Sequence, residues 1–375
     1  FRMLAHNGEI NTLAGNVNWT ASHEPRMASE VLGEYIDDIR PIIQPGSSDS
    51  EALDAMFELL VRCGRPAPAV EALLIPESIH QNTTMPEAHK ALFTYCANVM
   101  EPWDGPASIC ATDGRWAIAG LDRNGLRPLR YTITNNDLLI VGSETGMVEV
   151  PEAEVVEKGR VGPGGMIAID LLEGRFYHDK EIKDLIAGRQ PYGEWVKNIT
   201  RLDSFIKNKA ESSPPLTAEQ LRRRQTAFGL TMEDLELILH PMVEMGVETT
   251  GSMGDDTPLA VLSDKYRGLH HFFRQTFSQV TNPPIDSLRE RRVMTLRTRL
   301  GNLGNILVEE ASQCNLLLLE SPVLSNAEFE AMRNHMGETA CEIDCTFDPS
   351  SDPQPLRSAL DRICREAEDA VRGGG

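Results

Sequence analysis

Ser108-Ile109-Cys110-Ala111-Thr112-Asp113-Gly114-Arg115-Trp116-Ala117-Ile118-Ala119-Gly120-Leu121 reads as two short strands, 108–111 and 116–121, closed by an Asp-Gly turn. That dipeptide between apolar runs is a strong short-range hairpin signal, because its residues tolerate the positive φ that a tight hairpin turn requires. The pattern continues downstream. Segments 130–134 and 138–141 flank Asn135-Asn136-Asp137, and segments 166–170 and 175–177 flank Glu173-Gly174, so antiparallel sheet is expected over 107–177. Upstream, apolar residues recur at helical spacing over 51–63 (Leu53, Met56, Leu59, Leu60) and over 86–100 (Ala88, Leu92, Tyr95, Val99). Helices laid on an antiparallel sheet predict a layered α+β domain.

Past residue 184 the periodicity weakens, and the polar stretch 207–215 (KNKAESSPP) is the expected boundary. Beyond it, helices are expected over 217–224 and over 232–239, the second with Thr231 as N-cap and Asp234 at its third position. Segments 306–308 and 315–319 are apolar and short enough to be buried strand or helix. From Gln354, residues Leu356, Leu360, Ile363, Cys364, Ala367 and Val371 follow helical spacing up to Gly373-Gly374-Gly375. No internal repeat or low-complexity tract is visible.

The 375 residues carry 36 Lys+Arg against 56 Asp+Glu, a net charge of −20. Such an acidic surface repels phosphate backbones and anionic lipid, which argues against nucleic-acid binding and against peripheral membrane attachment. No apolar run approaches the ~18 residues of a membrane span. Seven cysteines, with no CxxC pair, suit a reducing cytoplasm better than a disulfide framework. Cys341 and Cys345 lack further soft ligands at close spacing, so no metal site is expected. The start at Phe1 without a methionine, and the helix that runs into a terminal glycine turn, read as a fragment of a longer protein.

Three motifs could carry chemistry. Leu4-Ala5-His6-Asn7-Gly8-Glu9-Ile10-Asn11-Thr12 ends an apolar segment on Asn-Gly. That pair can be a simple turn, or it can set a side-chain amide beside a backbone N–H, as an oxyanion hole requires. Gly46-Ser47-Ser48-Asp49-Ser50-Glu51-Ala52-Leu53-Asp54 leads into a helix, with Ser48 or Asp49 as cap, or with an aspartate there holding a ligand's ammonium group. Asp122-Arg123-Asn124-Gly125-Leu126-Arg127-Pro128-Leu129 is a charged loop between strands, most simply a turn with salt-bridging arginines. Gly159–Gly165 (GRVGPGG) is no dinucleotide fingerprint, because no helix pattern follows it.

In this order the three motifs resemble the class II, N-terminal-nucleophile glutamine amidotransferases, with their HNG, SD[ST] and DxxGxRPL elements. The fuller wording from Phe1 to Trp19 resembles the glutamate synthase family, its large subunit in particular. So do Gly251-Ser252-Met253-Gly254-Asp255-Asp256-Thr257-Pro258, Phe273-Arg274-Gln275 and Gln279-Val280-Thr281-Asn282-Pro283-Pro284. The resemblance implies a partial layered αββα N-terminal-nucleophile-hydrolase-type domain over 1–200 and a partial α/β central domain over 216–375. It implies that Asn7 and Gly8 form the oxyanion hole, that Asp49 binds the α-ammonium of glutamine, and that Thr281 and Asn282 line an ammonia passage.

The family's nucleophile is an N-terminal cysteine whose own α-amino group serves as base. Position 1 here is Phe and no cysteine precedes Cys63, so the chain alone is expected to be inactive. For the full enzyme the resemblance implies conversion of glutamine, 2-oxoglutarate and reductant into two glutamates, with ammonia passed internally. It further implies FMN and an iron–sulfur cluster outside this segment, and a small FAD/NADPH subunit or ferredoxin as electron donor. The alternatives are another class II amidotransferase, such as one that aminates a sugar phosphate, and a non-catalytic glutamine-binding or regulatory module.

Overall fold

A computed structural model describes residues 1–79, 82–206, 216–246, 249, 262, 264–272, 295–350 and 354–373. Contacts divide the chain into two compact units, one formed by 1–209 with 287–375 and the other by 210–286.

The first unit opens with β1 (Leu4–Gly8), α1 (Leu13–His23), α2 (Asp49–Arg62), α3 (Ala67–Leu74) and α4 (Glu87–Val99). The strands β2 (Ala107–Thr112), β3 (Trp116–Leu121), β4 (Arg130–Thr134), β5 (Leu139–Gly142), β6 (Val155–Arg160), β7 (Met166–Asp170) and β8 (Arg175–Tyr177) follow. Then come α5 (Asp179–Ala187), α6 (Tyr192–Trp195) and β9 (Thr200–Arg201). All three expected hairpins form, as β2–β3, β4–β5 and β7–β8. A five-stranded antiparallel sheet has the order β1-β2-β3-β7-β8, and a second sheet has the order β5-β4-β6.

The large sheet packs against other elements on both faces. On one face Leu4, Ile109, Ile118 and Ala168 join the main core with Leu53, Met56 and Leu60 of α2, Val70 and Leu73 of α3, and Leu92 and Tyr95 of α4. On the other, Ala119, Leu121 and Ile167 pack with Leu129, Tyr131 and Val141 of the small sheet. Helix, sheet and sheet are thus stacked, as the layered α+β reading requires. Ala88, expected on the buried side of α4, is exposed. His89 takes the inward place because its Nε2 meets Asp184 Oδ1 of α5 at 2.8 Å, which satisfies a polar side chain that would otherwise be costly to bury.

Residues 295–319 return to this unit. Strands β10 (Thr298–Leu300) and β11 (Leu317–Leu319) form a third sheet with β9, β11 running parallel to β9. Segment 306–308, undecided between strand and helix, is instead a turn whose Ile306 and Leu307 enter the main core. Buried Arg65 secures it, donating from Nη2 to Ile306 O at 2.9 Å and to Val308 O at 2.7 Å.

In the second unit α7 (Ala218–Ala227) begins at Thr217, whose Oγ1 accepts the Gln220 N–H at 3.3 Å. Thr231 caps the next helical segment through Asp234 N–H at 3.1 Å. That segment is π-helical over Asp234–Leu239 before α8 (His240–Met245). The expected boundary at 207–215 lies outside the described residues, as does most of the 251–286 motif. The chain closes, in the first unit, with α9 (Asn326–Met336) and α10 (Pro355–Arg372). Helix α10 forms as expected, with Leu356, Leu360 and Val371 on its exposed side.

Candidate active site

Asn7 and Gly8 are not a turn; they end β1, an edge strand of the large sheet. Asn7 pairs in register with Ser108 and Gly8 with Ala107. Glu9 N–H donates to Pro106 O at 3.1 Å and Thr112 N–H to Met3 O at 2.9 Å, so odd-numbered residues of β1 face β2 with their hydrogen bonds. The antiparallel ladder alternates, which directs the N–H groups of the even residues off the free edge. Carboxylates of α2 take that of Leu4, by Asp54 Oδ1 at 2.8 Å, and, just past the strand, that of Ile10, by Asp49 Oδ2 at 2.9 Å. The N–H groups of His6 and Gly8 have no such partner among the described residues.

Gly8 has φ +148°, and a Cβ there would stand 1.7 Å from Pro106 O. Only glycine lets the backbone lie this close, so the direction of its N–H is built into the strand. The Asn7 side chain is exposed and forms no hydrogen bond among the described residues. An open amide and an open N–H on consecutive residues match the donor set of an oxyanion hole.

Helix α2 starts beside this strand. Ser48 is its N-cap, accepting from Glu51 N–H at 3.2 Å. Asp49 follows in the first turn, where a carboxylate is favoured by the helix dipole. Burial pushes its carboxyl up, but the N–H groups of Ile10 and Ser50, and His6 nearby, outweigh that and hold it below the ordinary aspartate value. Its side chain retains a quarter of its exposure, leaving lone pairs open to an ammonium group. The His6 ring is buried, with Nε2 on the Ser50 hydroxyl and 3.9 Å from Asp49 Oδ2.

Two buried carboxylates to which the sequence reading gave no role hold this geometry. Asp54 accepts the N–H groups of Arg2 at 2.6 Å, Met3 at 3.0 Å and Leu4 at 2.8 Å, fixing the start of β1. Its signal was available: an acidic residue on the inward face of α2, one turn after Ser50. Asp122, first of the DRNGLRPL loop, accepts Ala107 N–H at 3.1 Å, Asn124 N–H at 2.7 Å and Gly125 N–H at 3.0 Å. Ala107 is the partner of Gly8, so this loop braces the end of β1 from behind. Arg123 makes the expected salt bridge, to Asp104 at 3.0 Å. Arg127 makes none among the described residues. Thr281 and Asn282 lie outside the described residues.

An exposed amide and an edge N–H thus stand on consecutive residues at the end of β1, beside a helix-borne aspartate. The family model described as glutamine amidotransferases class-II matches residues 1–195, and the chain belongs to that family. A second model, the glutamate synthase central domain, matches residues 223–375.

Over its whole length the chain is 62% identical to the glutamate synthase [NADPH] large chain of Azospirillum brasilense, covering 25% of that protein. It is 42% identical to ferredoxin-dependent glutamate synthase 2 of Synechocystis, covering 24%, and 42% identical to glutamate synthase [NADH] of Schizosaccharomyces pombe, covering 18%. The chain thus spans a quarter or less of these relatives.

Proposed function

We propose that this chain supplies the oxyanion hole and the substrate aspartate of a glutaminase site within a glutamate synthase. Attack on the glutamine amide would develop negative charge on its oxygen, which the Asn7 side-chain amide and the Gly8 N–H would stabilise; Asp49 would hold the α-ammonium. The observation that carries this reading is the pair of unused donors on consecutive residues of β1, next to a carboxylate held ionised. Ammonia released there would pass to 2-oxoglutarate, with Thr281 and Asn282 lining the way. The division into an amidotransferase part over 1–200 and a central part over 216–375 belongs to the same proposal, as does a cytoplasmic setting. No described helix is long and apolar enough to cross a membrane.

FMN and an iron–sulfur cluster are part of the proposed full-length enzyme. No group of three His, Cys, Asp or Glu suited to a metal occurs among the described residues, and Cys345 points its thiol at Ile343 O. The electron donor, a small FAD/NADPH subunit or ferredoxin, is likewise a matter for the full-length protein.

The test is turnover of the full-length protein with glutamine, 2-oxoglutarate and a reductant. Two glutamates formed per glutamine support the reading. Glutamine hydrolysis coupled to a sugar phosphate would instead indicate a different amidotransferase. Binding without turnover would indicate a sensor.

A further inference from the structure

The DRNGLRPL loop and the strand that follows it assemble a second polar feature that the glutaminase reading leaves unused. Arg130 of β4 and Arg160 of β6 are directly opposite in the antiparallel ladder. Side chains at such positions are within ~5 Å at Cβ, and like charges there are destabilising. Arg127 joins them on the rim of a cavity of about 430 Å³. None of the three guanidinium groups makes an ion pair or side-chain hydrogen bond among the described residues, in a chain of net charge −20. Glu144 and Glu149 share a neighbouring hollow with Arg130, yet neither forms an ion pair with it.

The cavity walls are fixed. Val161 N–H donates to Leu129 O at 2.9 Å, Gly164 N–H to Asp122 O at 2.9 Å and Leu121 N–H to Gly165 O at 3.0 Å. Gly125, at φ +63°, packs so closely on Pro163 that a Cβ would come within 2.5 Å of its ring. Three fixed-charge forks lining a braced cavity, two of them opposed at a cost, match what a multivalent oxyanion would neutralise.

We propose that Arg127, Arg130 and Arg160 form a binding site for a small multivalent oxyanion, phosphoryl or dicarboxylate in nature. The site is distinct from Asn7 and Asp49 and does not depend on the glutaminase reading. It is tested by calorimetry on the full-length protein in about 0.15 M chloride, which screens loose surface attraction. Pyrophosphate is titrated in one arm and succinate in the other. Saturable binding of one anion per chain is expected in at least one arm, and the arm that binds identifies the ligand as phosphoryl or dicarboxylate. Arg130→Gln and Arg160→Gln should each weaken that binding about tenfold or more, while Arg365→Gln on α10 leaves it unchanged. Without ligand, both variants should melt at or above the wild-type temperature, because the opposed charges are gone. That readout separates loss of the site from loss of the fold. Absence of saturable binding in both arms, or affinity unchanged in both variants, would overturn the proposal.

Discussion

Ile10 donates its backbone N–H to Asp49 Oδ2 at 2.9 Å, so the first turn of α2 grips the chain three residues past Asn7. Asp49 therefore has a structural task beside the proposed recognition of an ammonium group. Asp49→Asn keeps an oxygen for Ile10 but loses the charge. The expected outcome is a KM for glutamine raised by tenfold or more, about 1.4 kcal/mol, with kcat and melting temperature changed much less. With Asp49 held below the ordinary aspartate range, wild-type KM should stay flat as pH falls from neutral and rise only once Asp49 itself protonates. Steady-state kinetics across pH checks both.

Gly8→Ala probes the close approach of β1 to Pro106. A Cβ placed 1.7 Å from the Pro106 carbonyl forces the strand end outward. A loss of about 1–3 kcal/mol is expected, read as a lowered urea midpoint, together with a fall in glutamine turnover as the N–H is displaced.

Asp54→Asn removes charge from a buried acceptor that serves three backbone N–H groups. Each donor left unsatisfied costs about 1–3 kcal/mol. Hydrogen exchange at Met3 and Leu4 should accelerate by at least tenfold, while exchange in β3 and β7 stays near wild type. Uniform acceleration across the sheet would contradict a local role.

Glu71 of α3 is buried, with Oε2 unpartnered among the described residues and Oε1 where a Cβ on Gly120 would sit. Burial pushes its carboxyl up from 4.5 to about 8, Lys183 pulling it down and Asp179 pushing it up. Below the ordinary value folded and unfolded chains are both protonated, and the full stability is present. As pH rises toward about 8 the unfolded chain loses the proton first, so stability falls by up to about 1.4 kcal/mol per pH unit. Glu71→Gln should flatten that decline in urea midpoints measured between about pH 5 and pH 8.

The parts legible in the sequence are those with local causes. Asp113-Gly114 and Glu173-Gly174 set their hairpins through turn chemistry, and Ser48 starts α2 through its own hydroxyl. What escaped depends on distant partners. His89 displaces Ala88 from the core because Asp184 lies on another helix. Segment 306–308 is shaped by Arg65, far upstream, and β11 is a strand because β9 pairs with it. At the site, the HNG motif drew attention to Asn7 and Gly8. That β1 is an edge, with the Gly8 N–H directed outward, follows only from the order of the sheet. The opposed Arg130 and Arg160 were equally hidden, since strand register brings them together.

The central claim is that Asn7 contributes to an oxyanion hole, and the most direct measurement is kcat for glutamine hydrolysis by full-length Asn7→Ala. The account predicts a fall of about 10²-fold or more, with KM within a few-fold of wild type and an unchanged melting temperature. A kcat within twofold of wild type would contradict it.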